Sequence, residues 1–149
     1  MMRRITNLIL CAILVLTLCA CGDVSHAATH EVESELYTQD DIKSAINVTK
    51  RQFRRNWNGC TLTEIYYAGD EVSEKHQEWA DRNGLDEVIV LISSFNVDSS
   101  GGDVSLNPNS TYKNWMWILG RSKGGQWQPL DHAWQSRERG SCRCRWRRR

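Results

Sequence analysis

Proline is almost missing from this chain, with 2 residues in 149, and glycine is ordinary at 10. Collagenous and proline-rich architectures are excluded, and length and composition fit one globular domain. No apolar run exceeds the thirteen residues Leu8 to Ala20, short of the roughly twenty that cross a bilayer as a helix. Cysteine is scarce where a fold would use it. Of 6 cysteines, Cys11, Cys19 and Cys21 lie near the amino end and Cys142 and Cys144 near the carboxyl end, leaving Cys60 alone in between. That excludes a disulfide framework within the domain and a zinc site on paired cysteines, since Cys142-Arg143-Cys144 is too closely spaced for the usual knuckle.

Basic charge is also short in the middle of the chain. The net charge of +1 combines +2 in the first twenty residues, +6 from Arg137 to Arg149, and −7 between Cys21 and Ser136. A body of that sign lacks the basic stripe that nucleic-acid binding needs, so nucleic acid is not an expected partner.

What is present begins with an address. Met1 to Arg4 is a short basic region followed by the apolar run, so residues 1–20 read as a secretory signal peptide and are set aside from the fold. Arg3-Arg4 permits twin-arginine export, but without the rest of that motif it reads as a simple basic region. Leu18-Cys19-Ala20-Cys21 resembles the lipobox of bacterial lipoproteins. The resemblance implies a diacylglyceryl group on the thiol of Cys21 and cleavage before it. The alternative is a plain signal peptide cut after Ala28. Two acyl chains hold stably where one holds only marginally. The expected partner is therefore a lipid bilayer, and the expected location the extracytoplasmic face of a bacterial membrane. Residues 21–36 are polar, acidic and poor in large apolar side chains, which predicts a flexible spacer.

Residues 37–132 carry the pattern of an α+β domain. Thr38 and Asp41 form a capping box with the shorter acid. Ile42, Ala45, Ile46, Thr49, Phe53 and Trp57 then recur at helical spacing, and Asn58-Gly59 stops the helix. Lys50, Arg51, Arg54 and Arg55 close it and read as a solvated end matched to the helix dipole, with a binding patch as the alternative. Cys60 to Ala68 alternates as a strand, and Ser73 to Asn83 is a short second helix. Glu87 to Val97 is a central strand, with Val88, Val90 and Ile92 on one face and Ile89, Leu91 and Phe95 on the other. Tyr112 to Arg121 is a third strand. A turn at Ser122 to Gly125 leads to Gln126 to His132, which Pro129 demotes to an edge.

The expected architecture is a long N-terminal helix packed on a curved antiparallel sheet of about four strands, in the order α-β-α-β-β-β. That order and size resemble the cone-like nuclear transport factor 2-like and cystatin-like folds. The Ser-Gly-Gly-Asp loop, Asn-Pro-Asn-Ser-Thr-Tyr, Trp-x-Trp-Ile-Leu and Gly-Gly-x-Trp motifs extend the likeness over roughly 95 residues. With them the chain resembles a family of uncharacterised small lipoproteins of Gram-positive anaerobes. The resemblance implies a fold and an address, and no activity.

The central strands are apolar on both faces, while the two helices have surface enough for one. The second face is then a pocket or an interface in a homodimer or with a protein partner. Trp57, Tyr67, Trp115 and Trp117 are the candidate pocket lining, because aromatic rings with polar tips suit a small apolar ligand; core filling is the competing account. A catalytic reading needs an acid or base in that pocket. Asp131, His132 and His76 are the available groups, none clearly placed, and no catalytic residue is assigned. Cys60 reads as a small buried hydrophobe rather than a nucleophile served by His76 or His132. Asp98 to Asp103 offers oxygen ligands but lacks the third carboxylate and closing Glu of a calcium loop, and reads as a hydrogen-bonded surface loop. No metal or cofactor is expected.

Residues 133–149 break in composition and predict a basic disordered tail, whose arginines and tryptophans would suit an anionic membrane or wall. A shifted reading frame would also account for it. The expected function is a membrane-anchored binding domain; the alternatives are a small-molecule enzyme of the cone-fold class and a structural envelope protein.

Overall fold

The structure, a computed structural model, describes residues 21–102 and 106–134. The expected signal peptide at 1–20, Asp103 and the tail from 135 onward lie outside the described residues. Helix α1 spans Gln39–Asn56, 18 residues. Thr38 caps it as the pattern predicts: its hydroxyl accepts from the Asp41 backbone N–H while the Asp41 carboxylate accepts from the Thr38 backbone N–H. Strand β1 is Cys60–Tyr67. The expected second helix is two, α2 at Asp70–Glu74 and α3 at Gln77–Arg82. The break falls at His76, whose Nδ1 lies 2.8 Å from the Val72 carbonyl oxygen. Strands β2 (Glu87–Val97), β3 (Thr111–Arg121) and β4 (Gln128–Trp134) follow. The domain is α+β, with an open four-stranded antiparallel sheet in the order β1-β2-β3-β4.

Three bulges decide which side chains reach the core. On β1, Thr63 is inserted between Leu62 and Glu64 opposite Phe95 and Ser94, so Leu62 and Ile65 both turn inward although they are three residues apart. On β3 the extra residue lies between Tyr112 and Trp115. Asn114 there adopts a φ of 58°, a left-handed conformation that asparagine tolerates. Tyr112 and Trp115 therefore face the same cluster. On β4, Leu130 is inserted next to Pro129, and β4 is an edge, where a missing backbone donor costs no ladder bond.

One face of the sheet, carrying Leu62, Ile65, Tyr67, Ile89, Leu91, Phe95, Trp117 and Leu119, buries the stripe Ile42, Ala45, Ile46 and Phe53 of α1. The other face is covered as well, which corrects the expectation of a bare one. Ala80 of α3, with Val72 and Trp79, packs on Val88, Val90 and Ile118. The Val90 backbone N–H donates to Ser73 Oγ at 3.1 Å, tying α2 to the central strand. Two short helices cover this face because its apolar patch is small, and Leu36 is the large apolar side chain left exposed among the described residues.

The segment expected as a spacer is part of the fold. Asp23 and Ala28 pair with β1 in parallel fashion. Asp23 donates its backbone N–H to the Cys60 carbonyl and accepts from the Leu62 N–H at 2.9 and 2.7 Å, and Ala28 does the same between Thr63 and Ile65 at 2.9 and 2.9 Å. Val24 is buried. Composition missed this because the contacts are made by backbone groups, which polar side chains do not prevent. The tail boundary is corrected too: Ala133 and Trp134 belong to β4, paired with Met116 and Trp115.

Candidate functional site

The four aromatic residues expected to line a pocket do not all come together. Trp57, Trp115 and Trp117 come together: Trp57 lies 5.3 Å from each of the other two, ring centroid to centroid. The edge strand adds His132, at 5.3 Å from Trp57 and 5.2 Å from Trp117. Tyr67 is not part of this group. Its hydroxyl donates to Asp70 Oδ1 at 2.7 Å and its ring meets Tyr37 edge-on. Trp57, Tyr67 and Trp117 are each 1% exposed, so these three fill the core rather than line an open pocket. The space between α1 and the sheet is taken up by Phe53 and Phe95, which stack or cross against Trp57 at 5.3 and 5.1 Å.

The solvent-facing end of the aromatic cluster is Trp115 and His132. Trp117 satisfies its indole N–H on Ser93 Oγ at 2.8 Å. In contrast, Trp115 Nε1 and His132 Nδ1 are buried without a hydrogen-bond partner, a state that costs free energy unless something else supplies the bond. Burial lowers the His132 pKa below its ordinary value, against the opposing pull of Asp131. The imidazole is neutral at pH 7, with one unused ring nitrogen among indoles.

A second place stands out where the amino-terminal segment leads into the start of α1. Glu33, Ser34, Glu35, Tyr37, Thr38 and Asp70 line an open groove of about 630 Å³. Asp70 is its hub. The carboxylate accepts from Ser34 Oγ at 2.5 Å, the Glu35 backbone N–H at 2.8 Å and Tyr67 at 2.7 Å. The Ser34 bond first, with the Glu35 and Tyr67 bonds, holds its pKa below the usual carboxylate range, so it is a poor proton acceptor at pH 7. Tyr37 donates to the Val88 carbonyl at 2.7 Å, and burial, reinforced by Glu87, pushes its pKa up to about 12. Both groups hold the segment in place, and neither is poised for proton transfer.

Arg121 was not singled out in the sequence, although it is a cation closing β3 after the apolar run Trp115 to Leu119. It donates to Asp41 Oδ1 at 2.6 Å and to Glu87, and stacks over Trp127. Burial opposes its charge, and the two carboxylates overcome that and raise its pKa. Asp98 accepts from the backbone and hydroxyl of Ser100 at 2.8 and 2.5 Å, the geometry of a surface turn. Cys60 is buried at the start of β1. Among the described residues, no three His, Cys, Asp or Glu side chains gather as a metal would need. No helix there is long and apolar enough to cross a membrane.

Cys21 is exposed, and its Sγ donates to the Arg54 carbonyl at 2.8 Å. Gly22 follows it, buried under the last turn of α1, where a Cβ would lie 2.6 Å from the Phe53 carbonyl oxygen and 2.8 Å from that of Trp57. The thiol of the lipobox-like motif is therefore at the surface, one residue before Gly22, whose backbone N–H donates to the Arg54 carbonyl. Comparison with known proteins finds no protein family, no curated protein and no solved structure that matches this chain.

Proposed function

We propose that this chain is a lipoprotein, anchored by an acylated Cys21 on the extracytoplasmic face of a bacterial membrane, that binds a ligand or protein partner without catalysis. The observation that carries the reading is the position of Cys21: it ends the apolar run in Leu18-Cys19-Ala20-Cys21, its side chain is exposed, and the next residue, Gly22, bonds through its backbone to Arg54. Transfer of a diacylglyceryl group from a membrane phospholipid forms a C–S thioether bond at Cys21, breaks the lipid's glycerol C–O bond and releases the headgroup phosphate with the thiol proton. This costs the S–H hydrogen bond to Arg54 and gains the bilayer as partner through two acyl chains. The likeness to small lipoproteins of Gram-positive anaerobes belongs to the same reading. So does the cone-like form, in which α1 is the long helix lying along the concave side of the sheet.

Binding is favoured over chemistry because His132 at the aromatic cluster is packed among indole rings, and Tyr37 and Asp70 at the groove are engaged in hydrogen bonds. The end of the cluster at Trp115 and His132, where two buried nitrogens lack partners, is the natural place for a ligand's hydrogen bonds. A homodimer through a bare sheet face loses its footing, because α2 and α3 cover that face. The experiment is expression of the full chain in a lipoprotein-processing bacterium with and without globomycin. Accumulation of an uncleaved precursor is the expected result, with a diacylglyceryl mass on the untreated mature protein. Processing that is unchanged, at a site after Ala28, would overturn the reading.

A further inference from the structure

We propose that the carboxyl end of α1, carrying Lys50, Arg51, Arg54 and Arg55, is a docking surface for anionic phospholipid headgroups and sets the orientation of the domain on the membrane. The inference rests on the acylation of Cys21 argued above. A spacer would let the domain tumble at the end of its anchor, but the described chain has no slack. The Gly22 backbone N–H donates to the Arg54 carbonyl at 3.0 Å, and Asp23 is already bonded to Cys60 and Leu62. The Cys21 sulfur lies against the same Arg54 carbonyl. The thioether gives up the S–H bond, but Gly22 keeps its own bond to Arg54, so a diacylglyceryl group on Cys21 starts one residue from the last turn of α1 and the bilayer surface lies at this end of the helix.

The charge at that end matches an anionic surface. Arg51, Arg54 and Arg55 are exposed and Lys50 is half-buried. None of the four has an ion-pair partner among the described residues. Asp23, the acidic group whose charge is felt by Arg54, is itself engaged with Ser25. Matching the helix dipole needs about half a charge, so four cations leave a surplus. The body from Cys21 to Ser136 carries −7, so an anionic bilayer repels the rest of the domain and attracts this end. Basic residues close to such a surface each add to the attraction, which fades within a Debye length.

The test uses the mature full-length lipoprotein, its diacylglyceryl mass verified first, in vesicles of phosphatidylcholine alone or mixed with phosphatidylglycerol. Lysines are acylated with a membrane-impermeant reagent and read by peptide mass spectrometry. Lys50 reports the docking end. Lys123 is the control, because it lies two residues beyond Arg121, whose guanidinium reaches Asp41 at the opposite end of α1. We expect labelling of Lys50 in phosphatidylglycerol vesicles to fall about threefold or more relative to detergent. Lys123 should be unchanged, and protection should be lost in a triple variant Arg51→Glu, Arg54→Glu, Arg55→Glu. Equal labelling of Lys50 in vesicles and detergent, on protein with the diacyl mass, overturns the orientation and leaves the anchor standing. Equal protection in phosphatidylcholine overturns the headgroup recognition. Absence of the diacyl mass overturns the anchor and this inference together.

Discussion

The guanidinium of Arg121 lies 4.1 Å from the ring centroid of Trp127. The indole N–H of Trp127 in turn donates to the Asp41 carbonyl at 3.1 Å, while the Asp41 carboxylate accepts from Arg121 at 2.6 Å. With Glu87 as a further acceptor, one cation joins the first turn of α1, the start of β2 and the end of β3. Cation–π stacking and two carboxylates hold the planar fork in a way a lysine cannot reproduce.

Arg121→Met should lower unfolding stability by about 2 to 3 kcal/mol, since it leaves two partly buried carboxylates without their cation. Chemical denaturation of the full chain measures it. Arg121→Lys should recover only part of the loss. A methionine variant as stable as the wild type would show that the stacked cation contributes nothing net.

His132 makes stability depend on pH. Its pKa is lowered in the folded state by burial among the three tryptophans. The unfolded chain therefore takes up a proton first, near the ordinary histidine value of about 6.5. Stability is complete above that pH and falls on acidification until the lower folded value is passed. Replacing the imidazole by a ring that cannot titrate, His132→Phe, should flatten this slope in thermal melts run from pH 7.5 to 5. An unchanged slope would place its origin elsewhere.

Gly22→Ala should detach the amino-terminal segment from the last turn of α1. A methyl group there meets two backbone carbonyl oxygens closer than 3.0 Å, and no flexible side chain can yield in their place. Amide exchange at Leu62 and Ile65, whose N–H groups donate to Asp23 and Ala28, should speed up at least tenfold, equivalent to about 1.4 kcal/mol. Retained protection at both amides would count against the pinned geometry.

Asp70→Asn should loosen residues 34–37, because an amide cannot accept all three bonds as a carboxylate does. A loss of about 1 to 3 kcal/mol is expected, together with faster exchange of the Glu35 amide. The Tyr67 phenol, whose pKa burial raises well above its ordinary value, should stay protonated in the variant through pH 11 by ultraviolet titration.

The parts of this fold that show in the sequence are those with a period. The apolar stripe from Ile42 to Phe53 and the Thr38/Asp41 box locate α1 at both ends. Glu87 to Val97 alternates well enough to give both its faces. What the sequence conceals is any effect of a single added residue. Thr63, Asn114 and Leu130 shift registers without changing composition, so Tyr112 joins Trp115 on the core side. Backbone pairing is equally silent: Asp23 and Ala28 look like linker residues and bond like strand residues. Of the four aromatic candidates for a pocket lining, Trp57, Trp115 and Trp117 pack against one another, while Tyr67 packs against Tyr37. The sequence could not show Asp70 as Tyr67's partner, nor Ser34 reaching the same carboxylate from 36 positions away.

The residues that join Cys21 to the sheet also occupy the outer side of β1. An uncovered strand edge is a template for pairing with another chain, and that hazard grows when copies are confined to two dimensions at high local density. The segment from Asp23 to Ala28 blocks pairing at one margin of the sheet, and Pro129 interrupts the donor row at the other. Among the described residues, the outer row of amides on β1 is partly taken up and that on β4 is broken, so neither margin offers a second copy an uninterrupted template.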